Sequence, residues 1–308
     1  MATTANISSS YVGEFAQDYV SAMLLSGNTL ANGLIEIKPN VKFRETLTRL
    51  ELDGLVADAS CDFADTGTLN WTERTIEPKS LQVNLKLCKT TFRSTFEGGS
   101  MGASAHDNFP SKLSDFIIGK TSAKIAQATE LSIWGGTAVA GDFPGFTTLL
   151  SADSAHTGAK KITGEAISSL NVAVELGKVA DAIPEQLLQD EGLFIYVANN
   201  VFRAYKRYLA STGGGQGVDT RGNNQDIEIQ SFDGIKIVPV NGLPANKMIG
   251  TVKENLVFAT SLISDQNECR TIDMSEIDGS QNVRFIARYT AAVNYAVVED
   301  IVSYGLGL

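Results

Sequence analysis

The chain has 308 residues, 43% hydrophobic and 19% charged, enough to bury a large core as one domain or two interwoven ones and too apolar for a disordered polypeptide. No run of eighteen apolar residues is present, which excludes a membrane-spanning helix, and three scattered cysteines (Cys61, Cys88, Cys269) give neither a disulfide framework nor a metal set. A net charge of −10 excludes a sequence-reading nucleic-acid protein, which would carry a basic footprint.

Residues 1–10 are small and polar, and the first basic residue is Lys38, so neither a secretory n-region nor a DNA-binding arm is expected at this end. From Tyr11 to Leu25, Val12, Phe15, Ala16, Tyr19 and Met23 recur at helical spacing, and Gly27-Asn28 ends the run. This short amphipathic helix stands ahead of the main body like an arm.

Residues Leu69–Phe96 read as an extended two-stranded hairpin. Trp71–Glu77 is strand-like, Pro78-Lys79-Ser80 forms the tip, and the return strand puts Leu81, Val83, Leu85 and Leu87 on one face and Gln82, Asn84 and Lys86 on the other. An isolated hairpin is marginal in water, so something must cover the leucine row. A second copy of the chain is the expected cover, which would make assembly the protein's work.

Pro110-Ser111 opens the longest helical stretch, a rod of roughly 35 Å that runs to Trp134 and stops at Gly135-Gly136. A second helix is predicted over Glu165–Ile183, closed by Pro184, with Val172, Leu176, Val179 and Ile183 in one stripe. Leu193–Ala198 is a short buried strand, and Asn199-Asn200 are placed to cap a helix over Val201–Leu209. Gly213–Asn224 has the composition of a flexible loop. Strands follow over Ile235–Val240, Leu256–Ala259, Cys269–Met274 and Val283–Val298. The sum is α+β, without the alternation of a βαβ enzyme.

Catalytic motifs fail on context. Gly98-Gly99-Ser100-Met101-Gly102 has the spacing of a nucleophile elbow, but the preceding strand is amphipathic and only His106 and His156 could serve as base, so a serine hydrolase using Ser100 is the weaker alternative. Gly119-Lys120-Thr121 lies inside a helix and lacks the upstream glycine of a phosphate loop. The Gly213–Gly217 cluster misses the dinucleotide spacing at Val218. Asp62, Asp65 and Gly67 hint at a calcium loop, but Ala64 takes a ligand position and no Glu closes it. Catalytic, metal and cofactor residues are all expected to be absent, and Trp71 and Trp134 are read as packing or interface residues.

Three segments carry a family resemblance. Ile133-Trp134-Gly135-Gly136, a spacer and Phe143-Pro144-Gly145-Phe146-Thr147-Thr148-Leu149-Leu150 form the most specific. Ser231–Val240 is the second, and Arg284–Tyr289 through Tyr295–Val298 the third. In this order they resemble the major capsid protein of tailed bacteriophages, whose shell fold is shared with encapsulin nanocompartments and the herpesvirus capsid floor. The resemblance implies an N-terminal arm (1–37), a peripheral domain in three pieces (38–68, 97–145 with its spine helix, and 267–292), an extended β-hairpin loop (69–96), and an axial domain (146–266 and 293–308) whose Gly213–Asn224 loop points to the capsomer axis.

It also implies a non-enzymatic subunit that assembles with itself into hexamers and pentamers of an icosahedral head around double-stranded DNA. Portal protein, and a separate scaffolding protein or decoration proteins, would be its partners; no long charged prefix precedes the arm. An encapsulin-type shell is the alternative. An acidic wall suits a DNA container, since tight phosphate binding would hinder packing and release. Expected inter-subunit contacts are Tyr11, Phe15, Tyr19, Trp71, Leu81, Val83, Leu85 and Leu87. Some relatives crosslink a ribbon lysine to a neighbour's asparagine; Lys79 is the nearest candidate, with Lys86 and Lys89 behind it.

Overall fold

A computed structural model of the chain describes residues 29–41, 43–54, 56, 58, 67–92, 111–211, 230–260 and 269–306. The arm helix with Tyr11, Phe15 and Tyr19, the Ser100 and Asp62–Asp65 segments, and the Gly213–Asn224 loop lie outside the described residues.

Thirteen strands can be followed among the described residues: β1 (Glu36–Lys38), β2 (Glu45–Asp53), β3 (Thr68–Ile76), β4 (Lys79–Cys88), β5 (Lys161–Ile162), β6 (Leu193–Ala198), β7 (Gln230–Phe232), β8 (Ile235–Val240), β9 (Met248–Val252), β10 (Leu256–Ala259), β11 (Cys269–Asp273), β12 (Asn282–Tyr295) and β13 (Val302–Tyr304). The helices are α1 (Lys89–Phe92), α2 (Ser111–Gly135), α3 (Phe146–Ala152), α4 (Val172–Ala182), α5 (Asn199–Ser211) and α6 (Ser275–Asp278).

One sheet has six strands in the order β5-β13-β9-β6-β8-β7. Its central strand β6 is the apolar run expected of a strand buried on both faces: Ile195, Tyr196 and Val197 have no solvent contact. Helix α4 packs on β9 and β13, and α5 beside it on β6 and β8. Within the same core the Trp134 ring meets Phe146 and Tyr196 in tilted contacts, with centroids 5.4 and 5.0 Å away.

The second sheet is built around the fourteen-residue strand β12. Its first part is flanked by β4 and β11, and its last four residues pair with β10, which in turn takes β1 in parallel. The long helix α2 packs against β11 and β12. Strand β10 thus joins β1 to β12 in this second sheet. The third sheet is a separate two-stranded ribbon of β2 and β3, in register from Glu45↔Ile76 to Asp53↔Thr68.

That ribbon corrects the hairpin read over Leu69–Phe96. β3 pairs backward with β2, while β4 crosses to β12, with Leu81 opposite Tyr289, Leu85 opposite Phe285 and Leu87 opposite Val283. Pro78 marks the point where the chain leaves one sheet for another. A tight hairpin would have needed Gly or Asn there, to supply positive φ.

Two helix boundaries also differ. The stretch before Val172 is not helical because its N–H groups go elsewhere: Glu165 to the Tyr304 hydroxyl (2.8 Å), Ile167 to Asn246 Oδ1 (3.2 Å) and Ser168 to Asn171 Oδ1 (2.7 Å). Asn199 and Asn200 lie within α5 and do not act as caps. Their side-chain amides donate to Asn241 Oδ1 and Asn246 Oδ1, both at 2.7 Å, tying the helix to the turns around β8 and β9.

Candidate assembly interface

Among the described residues, an exposed apolar face that could bind another protein sits on the ribbon. In an antiparallel pair, residues directly opposite share a face, and so do residues two apart. Leu50 lies opposite Trp71, and Leu69 is two residues from it. These three side chains are 49%, 59% and 61% exposed, an apolar face with nothing of the described chain over it. The Trp71 indole N–H donates to Glu73 Oε1 at 3.1 Å, which steadies the ring along the ribbon. The opposite face serves the root: Leu47 and Ile76 pack on Val41, Val257, Ala259 and Ala292 in a small separate cluster.

The leucine row on β4 is therefore not the uncovered surface. Leu81 is buried in the main core, and Val83, Leu85 and Leu87 are half-buried beside β12 partners such as the fully buried Val283 and Phe285. The alternation marked a strand with one covered face, but most of that cover comes from the chain itself. Trp71, expected at an inter-subunit contact, is exposed in the subunit, and Leu50 and Leu69, for which the sequence carried no such expectation, share its face. Their signal was weak, since Leu47 falls out of phase with Leu50 and splits the apolar residues of β2 between its faces.

Lys79 is likewise not at a ribbon tip. It opens β4, and its ammonium donates to the carbonyls of Val139 (3.1 Å) and Asp142 (2.6 Å) in the turn after α2. Lys89 is buried to 1% exposure and pairs with Asp273 Oδ2 at 2.5 Å, joining the ends of β4 and β11 across β12. Breaking such a pair from the acid side leaves a buried ammonium without its carboxylate. Asp273→Ala is expected to cost about 3 kcal/mol, more than Lys89→Met, which removes the charge itself; urea unfolding of the two variants checks the order.

The ribbon root is fixed by a polar cluster from three elements. Arg74 Nη2 of β3 donates to Asp153 Oδ2 just past α3 (2.7 Å), with its guanidinium carbon 4.3 Å from the centre of the Tyr295 ring on β12. Tyr295 Oη donates to the same carboxylate oxygen at 2.6 Å, and the Ala155 N–H to Oδ1 at 2.9 Å. Burial alone would raise Asp153, but hydrogen bonds from Tyr295, Ala155 and Arg74 outweigh it and hold the carboxyl down at about 2. A carboxyl lowered on folding stabilises the protein above its ordinary range near 3.8 and loses that effect as pH falls toward 2. We expect about 1–2 kcal/mol to disappear between pH 4 and 2, measured as a fall in thermal midpoint that Asp153→Asn no longer shows.

The start of the described chain is anchored as firmly. Thr29 donates its N–H to Glu130 Oε2 (2.9 Å) and its hydroxyl to Oε1, and accepts the Trp134 indole N–H at 3.0 Å. Burial raises the Glu130 pKa, against the pull of hydrogen bonds to its carboxylate from Thr29 and Trp134. Leu34 accepts a 2.6 Å bond from the Tyr196 hydroxyl before β1 enters its sheet.

The join after α2 explains the segment Ile133–Leu150. Trp134 is fully buried, a packing residue as expected, and the chain folds back so that the Gly145 N–H donates to the Gly136 carbonyl at 2.9 Å. Thr147 and Thr148 hydroxyls donate to the carbonyls of Trp134 and Gly136, at 2.8 and 2.6 Å. Gly145 and Gly136 stand where a side chain would collide with backbone atoms.

The nearest approach to catalytic geometry is His156 Nε2, 2.6 Å from Ser303 Oγ. Both residues are buried, which closes the pair to a substrate, and burial, then the charge of Lys161, lowers the imidazole pKa. Gly119-Lys120-Thr121 lies within α2, away from any loop that could wrap a phosphate. Among the described residues, no helix is long and apolar enough to cross a membrane, and no three His, Cys, Asp or Glu residues stand together as a metal set.

No family model matches the chain, and no curated protein does. Solved structures do. A chain of the native GTA particle capsid aligns with a TM-score of 0.61 at 12% identity, over 99% of this chain and 94% of that one. A chain of the cyanophage A-1(L) capsid gives 0.57 at 15% identity, over 98% and 96%. One from Gordonia phage Cozz gives 0.58 at 12%, over 90% and 86%. At such identities the likeness shows the fold, and that fold is the α+β fold of tailed-phage major capsid proteins.

Proposed function

We propose that the chain is the major capsid protein of a tailed double-stranded DNA phage, a structural subunit that assembles with its own copies into hexamers and pentamers of an icosahedral head. The observation that carries this reading is a capsid fold spanning nearly the whole chain, on which the ribbon projects an apolar face that the described residues leave bare. Repeated by symmetry, many contacts of modest area sum to a stable shell, while each stays weak enough for a misplaced subunit to dissociate. In this reading residues 1–37 are the arm, with Tyr11, Phe15 and Tyr19 facing neighbours. The ribbon of β2 and β3 is the extended loop, α2 is the spine, and the six-stranded sheet forms the axial domain. A portal protein, and a scaffolding or decoration protein, complete the particle in the host cytoplasm, and the acidic wall encloses DNA without reading it.

Expression of the chain, alone and with a candidate scaffold, followed by negative-stain microscopy tests this. Hollow closed particles are expected. A chain that remains monomeric in both cases overturns the reading.

A further inference from the structure

The ribbon leaves the body by two strands that, among the described residues, pair only with each other. Its direction must therefore be set at the root. On one strand the Val41 N–H donates to the Thr260 carbonyl at 3.1 Å before β2 begins. On the other, Glu77 and Pro78 separate β3 from β4. Apolar packing of Leu47 and Ile76 holds the root but is non-directional. Polar ties supply direction: Lys38 Nζ of β1 pairs with Glu45 Oε1 at the start of β2 (2.5 Å), and on β3 Asn294 Nδ2 donates to the Thr75 carbonyl at 2.8 Å while Arg74 reaches Asp153 and lies over Tyr295.

A guanidinium bonded to a carboxylate and lying over a ring is held at two points, which a lysine at the same place would not be to the same degree. The receiving side is rigid too. Asp153 is held on its second oxygen by Ala155, and Tyr295 belongs to the long central strand.

We propose that Arg74 is a positioning residue for assembly: clasped by Asp153 and Tyr295, it aims the ribbon so that Leu50, Leu69 and Trp71 face a second copy of the chain before that copy arrives. The ribbon's orientation is thereby ordered on folding, which lowers the entropy lost on association. The consequence for assembly rests on the function proposed above; the clasp itself does not.

The test measures ribbon direction in the unassembled subunit. With Cys61, Cys88 and Cys269 replaced by Ser, spin labels go on Asn70→Cys in the ribbon and Leu170→Cys on the axial surface, both exposed positions. The parent is expected to give one narrow distance distribution, and Arg74→Ala a distribution at least twice as broad with the circular-dichroism spectrum unchanged. Asp153→Asn and Arg74→Lys should broaden it as well, which keeps the test intact if Arg74→Ala folds poorly; Tyr295→Phe, keeping the ring, should broaden it less. Without the labels, Arg74→Ala should raise the concentration needed for shells several-fold. A variant distribution as narrow as the parent's overturns the proposal, and so does broadening with no change in that concentration. A parent that never forms shells defeats the function proposed above, while the distance widths still judge the clasp.

Discussion

Gly136→Ala is expected to abolish accumulation of folded protein or to lower its stability by about 3 kcal/mol or more. A Cβ at this position would fall on the carbonyl oxygen of Phe143 and lie 2.6 Å from that of Ser132. Both are backbone atoms in hydrogen-bonded segments, so no rotamer change relieves the clash. Gly145 repeats the problem from the other side, 2.5 Å from the Ser132 carbonyl and 2.6 Å from the Gly136 nitrogen. Movement of either segment would disturb Trp134, whose ring fills the centre of the core against Phe146 and Tyr196. Gly177→Ala in α4 is the control. Nothing lies within 4 Å of its added Cβ, so that change should be neutral or stabilise by up to about 1 kcal/mol through higher helix propensity. Soluble yield and thermal midpoint separate the two; equal midpoints would mean the join is not tightly packed.

What the sequence made legible were features with a local cause. The Gly135-Gly136 stop, the apolar run of β6 and the amphipathic face of α4 each write their state into a few neighbouring residues. Strand β4 was legible as a strand but not by partner. Its register with β12 joins residues some two hundred positions apart, and no periodicity within either segment encodes that pairing. The polar Pro78-Lys79-Ser80 stretch looked like a tip because a turn and a change of sheet use the same residue types. Helix α3 escaped notice since Gly145 precedes it without a side-chain cap, its place being set by contact with Gly136. The candidate interface suffered most, because the difference between a leucine covered from within and one left bare is tertiary.

Replacing Leu50 and Trp71 together by Ser is therefore the change expected to separate folding from assembly most cleanly. Both side chains are about half exposed in the subunit, so their loss should leave the thermal midpoint within about 1 °C of the parent. If a neighbouring copy covers about 60 Å2 of each, the lost contact is worth about 3 kcal/mol at 25 cal/mol per Å2. That corresponds to a rise of about a hundredfold in the concentration at which shells appear. Leu81→Ala should do the reverse. Leu81 is buried in the main core, so its truncation is expected to cost about 2–3 kcal/mol of subunit stability while leaving the ribbon face untouched. Light scattering across a concentration series, with melting curves on the same samples, reads both effects. Shells that form at the parent's threshold with both ribbon residues changed would exclude this face as the contact, and a shift confined to Leu81→Ala would return the interface to the leucine row.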